Sequence, residues 1–366
     1  MASIQKKERK NGTTYTAVVR IHGFPTQSRT FKRLTDAKRW ATKTEEAIRD
    51  GEFHNVVSEA RRKTVSDIIT RYRREVLPNK APSTQRAEST YIKFWEKAVG
   101  EYALSLLKAE KISEALHELA ESGDGRTTKT AKKPKSRKTL KHYRDTLELL
   151  FKYAIQWGWT ASNPVDGVNR ITKINNERSR FLSDKERETL LAVCKNSPNK
   201  TLYPVVVFAL ATGARKGEIL NLPIGDLDLE SGVAILRNTK NKDTRAVPIT
   251  ANLKKVLEDH IETVEKLYES FEDAPPKQWL FPRSDGLQPM DIRKAWENAR
   301  KEAKLSDFRF HDLRHSTASY LAMNGANQVE IAEILGHRTL QMVRRYAHLS
   351  ESHVKDLMEN VNEKLF

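Results

Sequence analysis

The chain has 366 residues, 38% hydrophobic and 31% charged, enough apolar material for real cores beneath heavily solvated surfaces. Its formal net charge of +17 favours polyanionic partners, nucleic acid above all, with binding that weakens steeply as salt rises. A single cysteine excludes an internal disulfide and a zinc site built on paired cysteines, and no apolar run approaches membrane-spanning length.

The opening stretch, MASIQKKERKNG, has no apolar h-region, so no secretory signal and a cytoplasmic location are expected. Residues 14–23 are β-branched and alternating enough for a strand. Gly23 and Pro25 mark a turn, and residues 28–34 read as a second strand. A helix over residues 35–51 places Ala37, Trp40, Ala41 and Ala47 near one face. The result is a small ββ(β)α module. Arg20, Arg29 and Lys32 on its strands suit a solvated sheet face or a sheet that reads a DNA groove, and the chain's charge favours the second.

From about residue 61 every clear period is helical. Thr64 and Asp67 resemble a capping box opening a helix that Pro78 closes. Further helices are expected over 83–99, 104–122 and 137–159, with a Gly-, Thr- and Lys-rich loop at 123–136. The basic run 129–144 includes Lys133, Lys135, Arg137 and Lys138. It suits a solvated loop, a nuclear-import signal or a phosphate clamp, and a loop plus first helical turn pressed on DNA fits best.

The third segment starts near Phe181, where Ser183 and Glu186 form another capping box. The apolar run 203–211 reads as a buried helix, and Cys194 as a buried structural thiol. A β-rich stretch follows at 232–250, then mostly helix. Arg215 ends an otherwise apolar helix, so it must meet an acid, with Glu218 in reach, or a bound anion. His311 and Arg314 share a face if HDLRH opens a helix. Gly336 ends the helix before His337, and Tyr346 stands in RRYAHL. Singly, each suits ordinary packing. Together they give convergent cations, titratable imidazoles and a phenol, without a metal cluster. That set suits phosphoryl transfer, with positive charge favouring the ionised phenol.

Arg215 in TGARKGE, His311 and Arg314 in HDLRH, His337 in LGH and Tyr346 nine residues later resemble the signature of the tyrosine recombinases, the phage-integrase family. Lys240, eight residues before Pro248, matches that family's β-turn lysine, with Lys242 as the alternative. The resemblance implies that Tyr346 attacks the scissile phosphate to give a 3′-phosphotyrosyl link. Arg215 and Arg314 would clamp its oxygens, and Lys240 would protonate the leaving 5′-oxygen. His311 would assist proton transfer, His337 would bond the phosphate, and Glu218 would orient the site. Neither cofactor nor metal is implied. Val343 stands where many members have threonine or serine, and His348 is read as packing.

The implied fold is multidomain and mainly α. It comprises an arm-binding-like ββ(β)α module at 1–58, an all-α core-binding bundle at 62–168 and a mixed α+β, mostly helical catalytic domain at 176–366. The implied function is a site-specific recombinase that integrates or excises a mobile element. It would act as a homotetramer on double-stranded DNA at core and distal arm sites, with directionality or DNA-bending factors as possible partners and no membrane. The C-terminal helix expected over 351–366, with Val354, Leu357, Met358, Val361 and Leu365 near one face, would pack on its own subunit or a neighbouring one. An invertase or resolvase of the same family, a type IB topoisomerase and a catalytically silent DNA-binding regulator are the alternatives.

Overall fold

A computed structural model describes the chain except residues 1, 10–11, 23–25, 50–55, 124–133, 173, 175–177, 179, 238–243, 274, 338, 351–357, 360, 364 and 366. It falls into two compact units, residues 1–176 and 177–366. Both are mainly helical with a small antiparallel sheet.

In the first unit β1 (Ala2–Arg9), β2 (Gly12–Val19) and β3 (Gln27–Phe31) form an antiparallel sheet with β2 in the centre. Ala17 and Val19 of β2 bury against Ala37 and Ala41 of α1 (Leu34–Arg49). The strand β1 has little alternation to betray it, because Lys6, Lys7 and Glu8 occupy an edge where charge discourages further pairing. The strands are shorter than expected, so Arg20 and Lys32 lie just past the ends of β2 and β3, and only Arg29 sits on a strand. All three are exposed. The turn expected at Gly23 and Pro25 lies outside the described residues.

The other α-helices among the described residues of this unit are α2 (Val56–Arg62), α3 (Val65–Glu75), α4 (Pro82–Val99), α5 (Ala109–Glu121) and α6 (Arg137–Gln156). Ile68, Tyr72, Trp95, Ile112, Leu147 and Phe151 lie at the centre of their core. The capping box at α3 is complete, with Thr64 and Asp67 bonding each other's backbone amides. Residues 103–107 do not join α5. Leu104 N donates to Lys63 O and Thr64 pairs with Ala103, a turn that tucks Leu104 and Leu107 into the core. At its other end α6 stops at Gln156, because Gly158 reverses the chain at φ +71°. Arg144, the last residue of the basic run, is buried, bonding Glu148 at 2.7 Å and the Val165 carbonyl at 3.2 Å, so it is structural.

The second unit contains α7 (Asp184–Lys195), α8 (Leu202–Thr212), α9 (Lys216–Leu220), α10 (Ala251–Glu269), α11 (Arg293–Glu302), α12 (Asp312–Met323) and α13 (Gln328–Leu335). Its sheet has the order β4 (Leu227–Asp228), β5 (Val233–Leu236) and β6 (Arg245–Pro248). The main core gathers on α8, which is apolar on every side and buried except along the face of Tyr203, Val207, Leu210 and Ala211. Cys194 lies in this core, and burial pushes its thiol up to about 12, an inert structural thiol. A smaller core formed by Ala318, Ile331, Ala332, Leu335 and Val343 also takes in Tyr346. Much of the expected C-terminal helix, Val354 and Leu357 included, lies outside the described residues, while Met358, Val361 and Leu365 are exposed.

Candidate active site

Three arginines of the second unit meet at one helix end. The chain leaves α13 through Gly336 in the left-handed conformation, φ +64°. His337 N bonds Ala332 O at 2.8 Å and Gly336 N bonds Glu333 O at 3.0 Å, the Schellman pattern. That pattern leaves the carbonyls of Ile334, Leu335 and Gly336 without helical partners, at the negative end of the helix dipole. Each takes one arginine: Arg245 donates to Ile334 O, Arg314 to Leu335 O at 2.6 Å, and Arg215 to Gly336 O at 3.4 Å.

Each arginine has a second fixing contact. Arg314, 3% exposed, also donates to Gly213 O at 2.9 Å. Gly213 caps α8 at φ +62°, and a Cβ there would lie 2.3 Å from Leu335 Cδ2, so glycine is required for the approach. The Arg215 Nη1 atom donates to Glu218 Oε1 at 2.7 Å, and its backbone N to Oε2 at 3.0 Å. Arg245 Nη2 donates to the same Oε2 at 2.9 Å. Burial alone would raise the Glu218 carboxyl. The bonds from Arg215 and Arg245 outweigh it and hold the group below the usual carboxylate range. The acid reading of Arg215 therefore holds, since it pairs with Glu218, and its Nη2 reaches the Gly336 carbonyl. Burial, Arg215 and Arg245 draw the Arg314 guanidinium down to about 9, so it stays cationic at neutral pH.

Tyr346 lies on a 3₁₀ stretch, Arg344–Ser350, and is 4% exposed. Its Oη is hydrogen-bonded to Nδ1 of His315. Burial raises the phenol, Arg345 and Arg314 pull it back only in part, and the net shift is upward. This corrects the expectation that the cations favour the ionised form in the free protein, because desolvation is the larger effect. The histidines are held neutral. Burial, then His311 and Arg345, lowers His315 to about 4. Burial, then Arg314, Arg215 and Arg345, lowers His337 to about 3. Burial and Arg314 also lower His311.

The structure thus brings Arg215, Glu218, His311, Arg314, His337 and Tyr346 into one neighbourhood and adds three residues that sequence reasoning missed as site members: Arg245, His315 and Arg345. His315 stood in plain view in HDLRHS. His311 is the N-cap of α12, and His315 lies one turn on, its ring 5.2 Å from that of His311. The signal for Arg245 was an arginine opening a strand in the β-rich stretch. His337 Nδ1, Arg245 Nε and Arg345 Nε are buried without a hydrogen-bond partner among the described residues. Val343 is fully buried in the Tyr346 core, so the valine is a packing residue. Lys240 and Lys242 lie outside the described residues, as does Lys133. In the first unit Lys135 Nζ bonds the Gly123 carbonyl, while Arg137 and Lys138 are exposed on the first turn of α6. Among the described residues no cluster of His, Cys, Asp or Glu has the makings of a metal site, and no helix is long and apolar enough to cross a membrane.

Residues 180–353 match the phage integrase family. The integrase of Salmonella phage P22 is 32% identical over 202 residues, covering 52% of this chain and 49% of that protein. The chain thus spans about half the length of the curated relatives it matches. Among solved structures, the Tn1549 transposon integrase in complex with circular intermediate DNA superposes with a TM-score of 0.64 at 22% identity, over 81% of this chain and 99% of that one. A lambda integrase tetramer bound to a Holliday junction gives 0.58 at 18%, over 91% and 95%. At these identities the likeness is one of fold.

Proposed function

With residues 180–353 forming a phage integrase family domain, we propose that this chain is a site-specific DNA recombinase that cuts and rejoins strands through Tyr346. The observation that carries the reading is the convergence of Arg215, Arg245 and Arg314 on three consecutive carbonyls, close enough to Tyr346 for Arg314 to act on its phenol. Phosphoryl transfer needs positioned positive charge around the non-bridging oxygens, and guanidinium forks supply it bidentately. Arg345 Nε and, in its Nδ1–H tautomer, His337, both buried without a hydrogen-bond partner among the described residues, are donors a phosphate oxygen would satisfy.

In the proposed reaction Tyr346 Oη attacks phosphorus as its proton passes to Nδ1 of neutral His315, its hydrogen-bond partner. The bond from phosphorus to the 5′-oxygen breaks, and by the family resemblance Lys240 gives that oxygen a proton. The products are a 3′-phosphotyrosyl link and a 5′-hydroxyl, and attack by a second 5′-hydroxyl reverses the step. Arg215 and Arg314 hold the phosphate, with Glu218 fixing Arg215. Burial is the main reason His337 is neutral, and a phosphate's negative charge beside the cations would offset the lesser part that Arg314, Arg215 and Arg345 contribute. His311, beside His315, is a second acceptor for the phenol's proton. The phosphotyrosine conserves the bond energy, so the reaction needs neither ATP nor a metal.

The chain's relatives and its fold neighbours support a phage- or transposon-type integrase acting as a tetramer on DNA. Residues 1–58 would take distal arm sites, 62–168 the far side of the core duplex and 176–366 the scissile phosphate. Arg29 with Arg20 and Lys32, and Arg137 with Lys138, Lys135 and Lys133, would contact phosphates in the first two. Directionality or DNA-bending factors remain partners by resemblance alone. The test uses nicked duplexes selected by affinity from a random-sequence pool. A denaturant-resistant protein–DNA adduct forms with EDTA present. Loss of the adduct on adding EDTA contradicts the metal-free step, and relaxation of supercoils without sequence preference favours a topoisomerase instead.

A further inference from the structure

Arg245 is not among the residues that the resemblance marks as functional, yet its surroundings are as closely specified as those of Arg215. It opens β6, and its side chain is 13% exposed. One end of the guanidinium is bonded to Glu218 and the other to the Ile334 carbonyl, while Nε is buried without a partner among the described residues. A Cβ on Gly336 would lie 2.8 Å from Arg245 Cδ and 3.0 Å from Nε, so the glycine that ends α13 also makes room for this arginine. Glu218, 4% exposed at its side chain, is thereby shared by two arginines.

The sharing has an electrostatic consequence. A buried carboxylate with Arg215 as its single partner would cancel most of the positive potential that Arg215 presents to a phosphate. A second arginine on Oε2 neutralises Glu218 from the far side and leaves the triad with one net positive charge. It also ties Glu218, and through it Arg215, to the end of α13 that holds Arg314. We propose that Arg245 is a positioning residue for the cleavage step: it sets the charge and place of Arg215 through Glu218 without itself touching the phosphate. This rests on the recombinase reading above.

The test is a double-mutant cycle on the full chain, measuring single-turnover adduct formation at saturating DNA alongside affinity and Tm. Arg245→Gln slows adduct formation by about a hundredfold, the scale expected when a catalytic group is displaced by about 1 Å, while DNA affinity changes little. In an Arg215→Lys background the same substitution slows the reaction far less, because its effect runs through Arg215. Arg245→Lys keeps a cation beside Glu218, and so the fold, but cannot span Glu218 and Ile334 O; it is slowed less than Arg245→Gln and more than wild type. A wild-type rate in Arg245→Lys overturns the proposal. So does a full, multiplicative loss in the Arg215→Lys background, since Arg245 would then act on its own. A wild-type chain that forms no adduct contradicts the cleavage reading itself, whereas one that cleaves beside equally active Arg245 variants contradicts only the role of Arg245.

Discussion

At the residue scale the site stores histidines in their neutral form. His315 and His337 titrate at about 4 and about 3 in the folded protein against an ordinary 6.5. Because these values are depressed, the unfolded chain binds more protons below 6.5, so this contribution is complete above 6.5 and lost as pH falls toward 4 and then 3. Thermal unfolding should show Tm falling through that window, and His315→Gln should flatten the part of the fall above about pH 4. A parallel fall in both proteins would contradict the assignment. His315→Gln should also slow adduct formation by about 10²- to 10⁴-fold, the range for a general base, at unchanged DNA affinity. Loss of affinity instead would make His315 a binding residue. Most of the site was legible in the sequence because Arg215, His311, Arg314, His337 and Tyr346 sit in short motifs with fixed order. Arg245 was not, because its meaning depends on Glu218 and Ile334, 27 and 89 residues away in the chain. The pKa of Tyr346 was misread because sequence shows nearby charges but not the burial that outweighs them.

At the element scale the end of α13 is the organising feature. Gly336→Ala would place a Cβ against Arg245 in a left-handed backbone that L-residues adopt at about 1–2 kcal/mol. We expect a lower Tm and a loss of cleavage larger than the stability change explains. A variant that cleaves at the wild-type rate would show that the three carbonyls do not hold the arginines. Helix ends were also where sequence reading did best. The boxes at Thr64 and Ser183 are complete, and Gly336 stops α13 as expected. It did worst where long-range pairing decides, as in the turn that Lys63 and Ala103 impose before α5, or in the charged edge strand β1. The first turn of α6 combines both lessons. It has no acidic residue and carries Arg137 and Lys138, cations at the positive end of a helix dipole. Lys138→Glu should therefore raise the stability of the free protein by about 0.3–1 kcal/mol at low salt while weakening DNA binding. A change of the same sign in both would remove Lys138 from the DNA contacts.

At the scale of the whole molecule a net charge of +17 on 366 residues favours a polyanionic partner before any motif is read. Binding should follow counterion release, with log affinity falling linearly in log salt, and Arg137→Gln should reduce the slope by about one if it contacts a phosphate. An unchanged slope would place Arg137 outside the footprint. Architecture was legible to the extent that local periodicity reports it: mainly helical, with two small antiparallel sheets. What periodicity does not report is that one helix terminus gathers arginines from the N-cap of α9, from β6 and from α12 around the tyrosine's core. The most direct test is to trap the protein–DNA adduct, digest both components and locate the residual nucleotide by mass spectrometry. The nucleotide should sit on the phenolic oxygen of Tyr346 through its 3′-phosphate, with no adduct from Tyr346→Phe. A nucleotide on any other side chain, or an adduct that survives Tyr346→Phe, would contradict the account.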